Sequence, residues 1–363
     1  KLELTFLHGI DMEQKSLDLV CLGRAGVDLY GQQVGGRLEN MAGFAKYVGG
    51  SPANTAIGTA RLGLKSGMIT RVGNEHMGRF IRETMQAEGV DVQGVKTDPD
   101  RLSALVILGI QDEDQFPLIF YRENCADMAL CEADIDEGLI ASSRALLLSG
   151  THLSTPTVAA ASRKAIALAK KHNTQVVLDI DYRPNLWGLA GHGDGDSRFI
   201  ADGKVSKHLQ TFLPDIDLIV GTEEEFHIAA GTEDSLQALA VVRSMSMATL
   251  VCKRGAQGCR VFDGGINGWH SGTEGPGFKV EVFNVLGAGD AFMSGLLRGW
   301  LGGKDWSTSC AYANACGAFA VSRHGCSPAV PSWQELAYFL EHGSEHQALR
   351  FDPVLSHIHR KTN

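Results

Sequence analysis

Short, nearly continuous apolar runs alternate with helical patterns along most of this chain, and that alternation limits its fold more than any other feature. The runs lie at residues 17–22, 65–72, 145–149, 175–180, 218–220 and 249–253, with amphipathic stretches such as 157–171 between several of them. Continuous apolar strands suit burial on both faces, so the pattern predicts a mainly parallel sheet with helices on either side, an α/β fold of three layers. Ligands of such a sheet gather at the carboxyl ends of its strands. Two stretches break the rhythm. Residues 28–47 are rich in glycine and polar side chains, and in 102–124 two strand-like segments flank Gln111-Asp-Glu-Asp-Gln115. Together they predict a small β-appendage hinged over the sheet edge as a lid, which would exclude water from a reactive group.

Two helix starts carry the chemistry. In Asn284-Val-Leu-Gly-Ala-Gly-Asp290-Ala291, a strand-like run at 279–283 gives way to two glycines, an aspartate and the apolar helical stretch from Phe292. Gly287 and Gly289 can turn successive N–H groups into one concavity, and the helix dipole adds positive potential there, which makes an anion hole. Asp290 beside bound negative charge makes sense as the acceptor of a proton from an attacking hydroxyl; alternatively it only caps the helix and the glycines only turn the chain. The other start is Gly49-Gly50-Ser51-Pro52-Ala53-Asn54, with Ser51 suited to the cap, Pro52 to the first helical position and Gly63 to the end. The glycine pair is either a tight turn or the place where a ligand hydroxyl meets the backbone while Asn54 hydrogen-bonds it.

Composition excludes several classes. The 363 residues can bury a large core, and 33 basic against 42 acidic side chains, a net charge of −9, argue against general affinity for nucleic acid or an anionic membrane. There is no apolar run of about 18 residues and no basic-then-apolar leader at the start, so the cytoplasm is the expected location. The eight cysteines form no C-x-x-C pair and read as reduced, packed thiols; the thirteen histidines form no H-E-x-x-H, and His357 and His359 sit in a polar tail. A P-loop is absent because Gly303-Lys304 is followed by Asp305, and no G-x-G-x-x-G follows the first strand, which runs into Gly23-Arg-Ala-Gly26-Val-Asp28.

Taken together the two helix starts resemble the paired signatures of the ribokinase-type (PfkB) carbohydrate kinases: Gly49, Gly50 and Asn54 match the first, and residues 284–290 match D-T-x-G-A-G-D. The similarity spans roughly residues 18–331. It implies a ribokinase-like three-layer domain at 17–340 with an eight- or nine-stranded sheet, a lid formed by about 28–48 and 101–125, and terminal extensions at 1–16 and 341–363. It also implies ATP-dependent phosphorylation of a sugar hydroxyl, with Mg2+ and, in many members, a monovalent cation such as K+. Asp290 would be the base, and Gly287, Ala288 and Gly289 would form the anion hole. Asp28, Gly49, Gly50 and Asn54 would hold sugar hydroxyls. Glu224, in Gly221-Thr-Glu-Glu224, takes the place of the N-x-x-E glutamate that organises magnesium through water. Lys253, Gly255 and Gly258 resemble the loop that touches nucleotide phosphates, and Asn314 corresponds to a residue lining the adenine pocket. Asn284-Val285 departs from the family's Asp-Thr, the element beside its monovalent-cation site, and Gly221 departs from its asparagine.

Arg122 and Arg183 point to an acidic substrate, since guanidinium groups bind a carboxylate in a bidentate fork. Either could instead be solvated or pair with a neighbouring acid such as Glu123 or Asp181. Within the family, arginines here resemble those of the keto-deoxy sugar acid kinases. The strings 179–187, 120–130 and 221–226 look most like the branch that phosphorylates the C6 hydroxyl of 5-dehydro-2-deoxy-D-gluconate in myo-inositol catabolism. A 2-keto-3-deoxygluconate kinase, a fructokinase and, more remotely, a non-catalytic sugar- or nucleotide-binding regulator are the other readings. A homodimer through the lid is expected because an exposed lid leaves strand edges that need covering.

Overall fold

The computed structural model describes residues 15–111, 115–195 and 197–343. The expected terminal extensions therefore lie almost wholly outside the described residues, as do His357 and His359. Strand β1 (Leu17–Leu22) sets the pattern. Leu19 and Cys21 enter one apolar layer and Val20 and Leu22 the other, all at zero exposure, because side chains alternate across a sheet that is covered on both faces. The chain then leaves the sheet for an antiparallel pair, β2 (Gly26–Gly31) and β3 (Phe44–Gly49). It returns through α1 (Ser51–Arg61), β4 (Ser66–Gly73), α2 (His76–Ala87) and β5 (Val95–Asp98).

A second excursion, β6 (Ala104–Leu108) and β7 (Leu118–Tyr121), completes a separate four-stranded sheet ordered β3-β2-β6-β7. This is the lid, and its strands begin at Gly26, which already pairs with both Gly49 and Ala104. Back in the main sheet come α3 (Glu137–Ala141), β8 (Ser143–Ser149), α4 (Pro156–Lys171), β9 (Gln175–Asp179), α5 (Gly203–Gln210) and β10 (Leu218–Thr222). Then follow α6 (Glu223–Ala230), α7 (Ser235–Met245), β11 (Thr249–Lys253), β12 (Cys259–Phe262) and β13 (Thr273–Gly275). Helices α8 (Ala288–Leu301), α9 (Trp306–Val321) and α10 (Trp333–His342) complete the described chain.

Among the described residues the main sheet has nine strands in the order β13-β12-β11-β10-β9-β8-β1-β4-β5, parallel except where β12 pairs with β11 and β13. Strand order reverses between β1 and β8, so the loops leaving their carboxyl ends diverge and open a crevice. One face of the sheet is covered by residues of α4 to α7, and the other by α1, α2 and α8. Helix α8 has Ala291, Phe292, Met293, Leu296 and Leu297 all buried, as expected of a helix that is apolar nearly all round.

Two local expectations fail. Residues 279–283 form no strand: the N–H groups of Phe283 and Asn284 both bond the Val321 carbonyl at the end of α9, 2.6 and 3.0 Å away, which is a tertiary contact no local pattern encodes. Ser51 does not cap α1. The cap position is Gly50, at φ 97°, and Ser51 is the first helical residue, its hydroxyl turned to Asp290 instead.

Candidate active site

The crevice at the strand reversal is closed over by the lid, leaving a pocket of about 620 Å³ counted to its open mouth. Three layers supply it. From the sheet come Arg24, just after β1, and Asp181 and Arg183, just after β9; from the lid come Asp28, Tyr30 and Arg122 on a face otherwise lined by Val106, Leu108, Leu118 and Phe120; from the helix starts come Asn54 and Asp290. The apolar lid face removes water from whatever lies beneath it, which strengthens every electrostatic contact there.

Asp290 stands in the first turn of α8 but caps nothing: no side chain among the described residues caps that helix start, and the Asp290 carboxylate accepts a 2.7 Å hydrogen bond from Asn54 Nδ2. Desolvation, with the negative charge of Asp181 adding to it, pushes its pKa up to about 6 against the pull of Asn54, Ser51 and Arg183. A half-buried carboxylate tuned there is ionised at neutral pH yet basic enough to take a proton. Gly287, the cap residue, lies at φ 79°, a left-handed conformation that directs the following N–H groups outward. Ala288 N–H bends back towards the Val285 carbonyl at 3.4 Å, so the outward-facing donors are those of Gly289 and Asp290.

Asp28 is nine-tenths buried, and burial pushes its pKa up to about 7 even though Arg122 lowers it. Gly49 sits directly beneath it: a methyl group there would come within 2.1 Å of Asp28 Oδ1, so only glycine leaves the carboxylate its place. Two of the pocket arginines are already engaged. Arg24 is ion-paired with Asp181, and Arg122 with Asp127 rather than with the neighbouring Glu123. Those pairs are buried, so each charge is neutralised within the protein. Burial alone would raise the pKa of Asp181, but Arg24, Arg183 and Ser149 outweigh it and hold that carboxyl below its ordinary value. Arg183 is freer, with its nearest carboxylate oxygen, on Asp181, at 4.0 Å.

The remaining expected residues gather around β11, β12 and β13. Lys253 Nζ reaches Asp179 at 3.3 Å and Glu225 at 3.5 Å, and lies 3.5 Å from where a Cβ on Gly289 would be. Burial would lower its pKa, but the two carboxylates raise it above the ordinary lysine value. Gly255 and Gly258, both at positive φ, form the turn between β11 and β12, and the Asn314 amide holds the Gly275 and Pro276 carbonyls, each at 3.0 Å. Glu224 is the exception. It is exposed on the outer side of α6, whereas Glu225 is 6% exposed and turned inward, bonding the N–H groups of Thr222 and Tyr182 and facing Lys253. Thr222-Glu-Glu-Glu225 has the same spacing as N-x-x-E one residue further on, and the helix period then decides which carboxylate faces in.

Asp179 has its pKa pushed up to about 7, by burial first and by Glu225, Asp181 and Asp290 thereafter, against Lys253. Among the described residues no cluster of three or more histidine, cysteine or acidic side chains could hold a metal ion directly. The inward carboxylates of Asp179 and Glu225 suit magnesium held through water and by nucleotide phosphates. A monovalent cation fits less well: Asn284 is a neutral amide, fully buried, with its oxygen accepting from Leu286 N–H at 3.0 Å.

Sequence reasoning missed Arg24, Asp127, Asp179, Arg198, Glu225 and Cys326 as parts of this site. His152 was missed too: it is fully buried with both ring nitrogens unpartnered, and burial followed by the charges of Arg24 and Arg122 lowers its pKa to about 3. Only Glu225 carried a usable signal, the shifted N-x-x-E spacing. All eight cysteines are free and all but Cys131 are buried.

The profile of pfkB family carbohydrate kinases matches residues 16–333. A Bacillus velezensis protein named 5-dehydro-2-deoxygluconokinase is 32% identical over 337 residues, covering 91% of this chain and 96% of its own. Among solved structures, a Vibrio cholerae fructokinase bound to fructose, ADP and calcium is 26% identical, with a TM-score of 0.74 over 89% of this chain and 99% of its own. A putative ribokinase II from E. coli, in complex with ATP and Mg2+, shares the fold with a TM-score of 0.79 at 22% identity, covering 90% of this chain and all of its own.

Proposed function

The chain belongs to the pfkB family of carbohydrate kinases, and on that premise we propose that it transfers the terminal phosphoryl group of ATP to the C6 hydroxyl of 5-dehydro-2-deoxy-D-gluconate. The observation that carries this reading is a single pocket in which a tuned carboxylate at an uncapped helix start faces Arg183, whose nearest ion-pair approach among the described residues is 4.0 Å, to Asp181. Asp28, Asn54 and the backbone at Gly49 and Gly50 hold the sugar's hydroxyls, and Arg183 takes its carboxylate. Asp290 accepts the hydroxyl proton as the oxygen attacks. The N–H groups of Gly289 and Asp290 face the charge that develops on the transferred oxygens, so the helix start replaces a P-loop. Magnesium, when bound with the nucleotide, neutralises phosphate charge. Glu225, not Glu224, is the side chain that orders its water, and Lys253 keeps Glu225 and Asp179 in place. Gly255, Gly258 and Asn314 shape the nucleotide side.

Residues 17–340 constitute the kinase unit in this reading, working in the cytoplasm where its nucleotide is abundant. A homodimer through the lid is part of it, since Tyr121 of β7, 55% exposed while its neighbour Phe120 turns into the pocket, leaves apolar surface on the lid's outer side.

The test is ADP release with magnesium-ATP on 5-dehydro-2-deoxygluconate, 2-keto-3-deoxygluconate and fructose at equal concentrations. A preference in kcat/KM for the first is expected. Preference for the second would keep the acid subsite and change the hydroxyl pattern; preference for fructose would overturn the acid reading altogether.

A further inference from the structure

Four arginines line the pocket, and the structure sorts them into two kinds. Arg24 and Arg122 are buried and each is ion-paired within the protein. Arg183 has only a 4.0 Å approach to Asp181, and Arg198 has no carboxylate within ion-pair distance among the described residues. Arg198 is not near the others in sequence-local terms. It arrives on the connection between β9 and α5, which runs back along the outer edge of the lid: Phe120 N–H bonds the His192 carbonyl at 2.9 Å and Gly195 N–H bonds the Leu118 carbonyl at 3.3 Å. Asn185 Nδ2 holds the Gly191 and Asp194 carbonyls at 2.6 and 3.1 Å, and the hydroxyl of buried Tyr182 holds the Ile200 carbonyl at 2.6 Å. Arg198 is thus fixed between two anchored points rather than set on a free loop.

We infer that Arg198 is a specificity residue, holding the substrate's carboxylate jointly with Arg183, while Arg122 is held away from that task by Asp127. This rests on the sugar-acid reading above. Two cations brought to one wall of a low-dielectric pocket repel each other, a cost that an intervening anion reverses. The charge of Arg183, followed by burial, accordingly depresses the pKa of Arg198 to about 10, which leaves Arg198 charged at neutral pH. A carboxylate received by two guanidinium groups is also fixed in orientation, and that sets which end of the sugar faces Asp290.

The experiment compares wild type, Arg198→Gln, Arg198→Lys and Arg183→Ala with 5-dehydro-2-deoxygluconate and with its amide, in which the carboxylate is neutral. Arg198→Gln should raise KM for the acid by about 10- to 100-fold, the weight of a charge-assisted hydrogen bond, with kcat and KM for ATP nearly unchanged. KM for the amide should be the same in the variant and wild type, Arg198→Lys should recover part of the affinity, and the melting temperature of the unliganded Arg198→Gln protein should not fall, since the substitution relieves the repulsion with Arg183. An unchanged KM for the acid in Arg198→Gln, or equal shifts for acid and amide, overturns the assignment. If Arg183→Ala still raises KM while Arg198→Gln does not, only Arg198 is lost and the sugar-acid reading stands. Should wild type prefer the amide or a neutral sugar, that reading falls and the carboxylate role of Arg198 with it.

Discussion

At the scale of single residues, the pocket is an arrangement of carboxylates made to differ by their surroundings. Asp290, with its pKa pushed up to about 6, must be ionised to accept a proton, so kcat/KM should fall as pH drops through about 6. Asp290→Asn should leave folding and ATP binding intact and lower kcat by about 10²- to 10⁴-fold, with the acid limb of the pH profile gone. Turnover at the wild-type rate would remove Asp290 as the base. Asp28 gives a prediction of opposite kind. Its folded pKa, about 7, lies above the unfolded value, so the folded state binds the proton more tightly; the stability associated with it is present at low pH and is lost as pH rises towards 7. Asp28→Asn removes that charge. The variant should therefore melt above wild type at pH 8, by a margin that shrinks towards pH 5, while its KM for the sugar rises. A melting difference that does not vary with pH would show that Asp28 is not strained by burial.

Among the elements, helix starts carry the function, and small offsets along a helix decide which side chain serves. In α6, Glu224 and Glu225 are adjacent in sequence and about 100° apart around the axis, which places one in solvent and the other against Lys253. Glu225→Gln should shift the magnesium dependence of turnover upward and weaken the cap of α6, whose Thr222 and Glu225 bond each other's backbone. Glu224→Gln should leave both magnesium dependence and melting temperature close to wild type. A titration of activity against magnesium at fixed ATP separates the two, and equal effects in both variants would count against an inward role for Glu225. The start of α8 works through what it lacks: with no capping side chain, its outward N–H groups remain available to an anion.

For the whole molecule, the lid is tied at more than its hinge. The connection between β9 and α5 lies along β7 and is braced by Asn185, so lid, connection and main sheet share one hydrogen-bonded seam. Asn185→Ala should raise amide hydrogen exchange both in the connection and in β7, because one is the outer partner of the other. Exchange raised in the connection alone would mean that the lid holds its position without that seam.

Fold class and the chemistry of the helix starts are legible along the chain itself. Alternating apolar runs and amphipathic stretches are local consequences of burial on both faces of a parallel sheet, and residues 284–291 bring glycines, aspartate and helix together within one turn. Such features are legible because the residues that interact are neighbours in the chain. Tertiary structure alone decided which charges remain available. Arg24 meets Asp181 across 157 positions, Asn54 meets Asp290 across 236, and Arg198 reaches the pocket only because its connection pairs with the lid. A charge is engaged or free according to what lies within a few ångströms, and in a sheet whose order runs β9-β8-β1-β4 those neighbours come from distant parts of the chain.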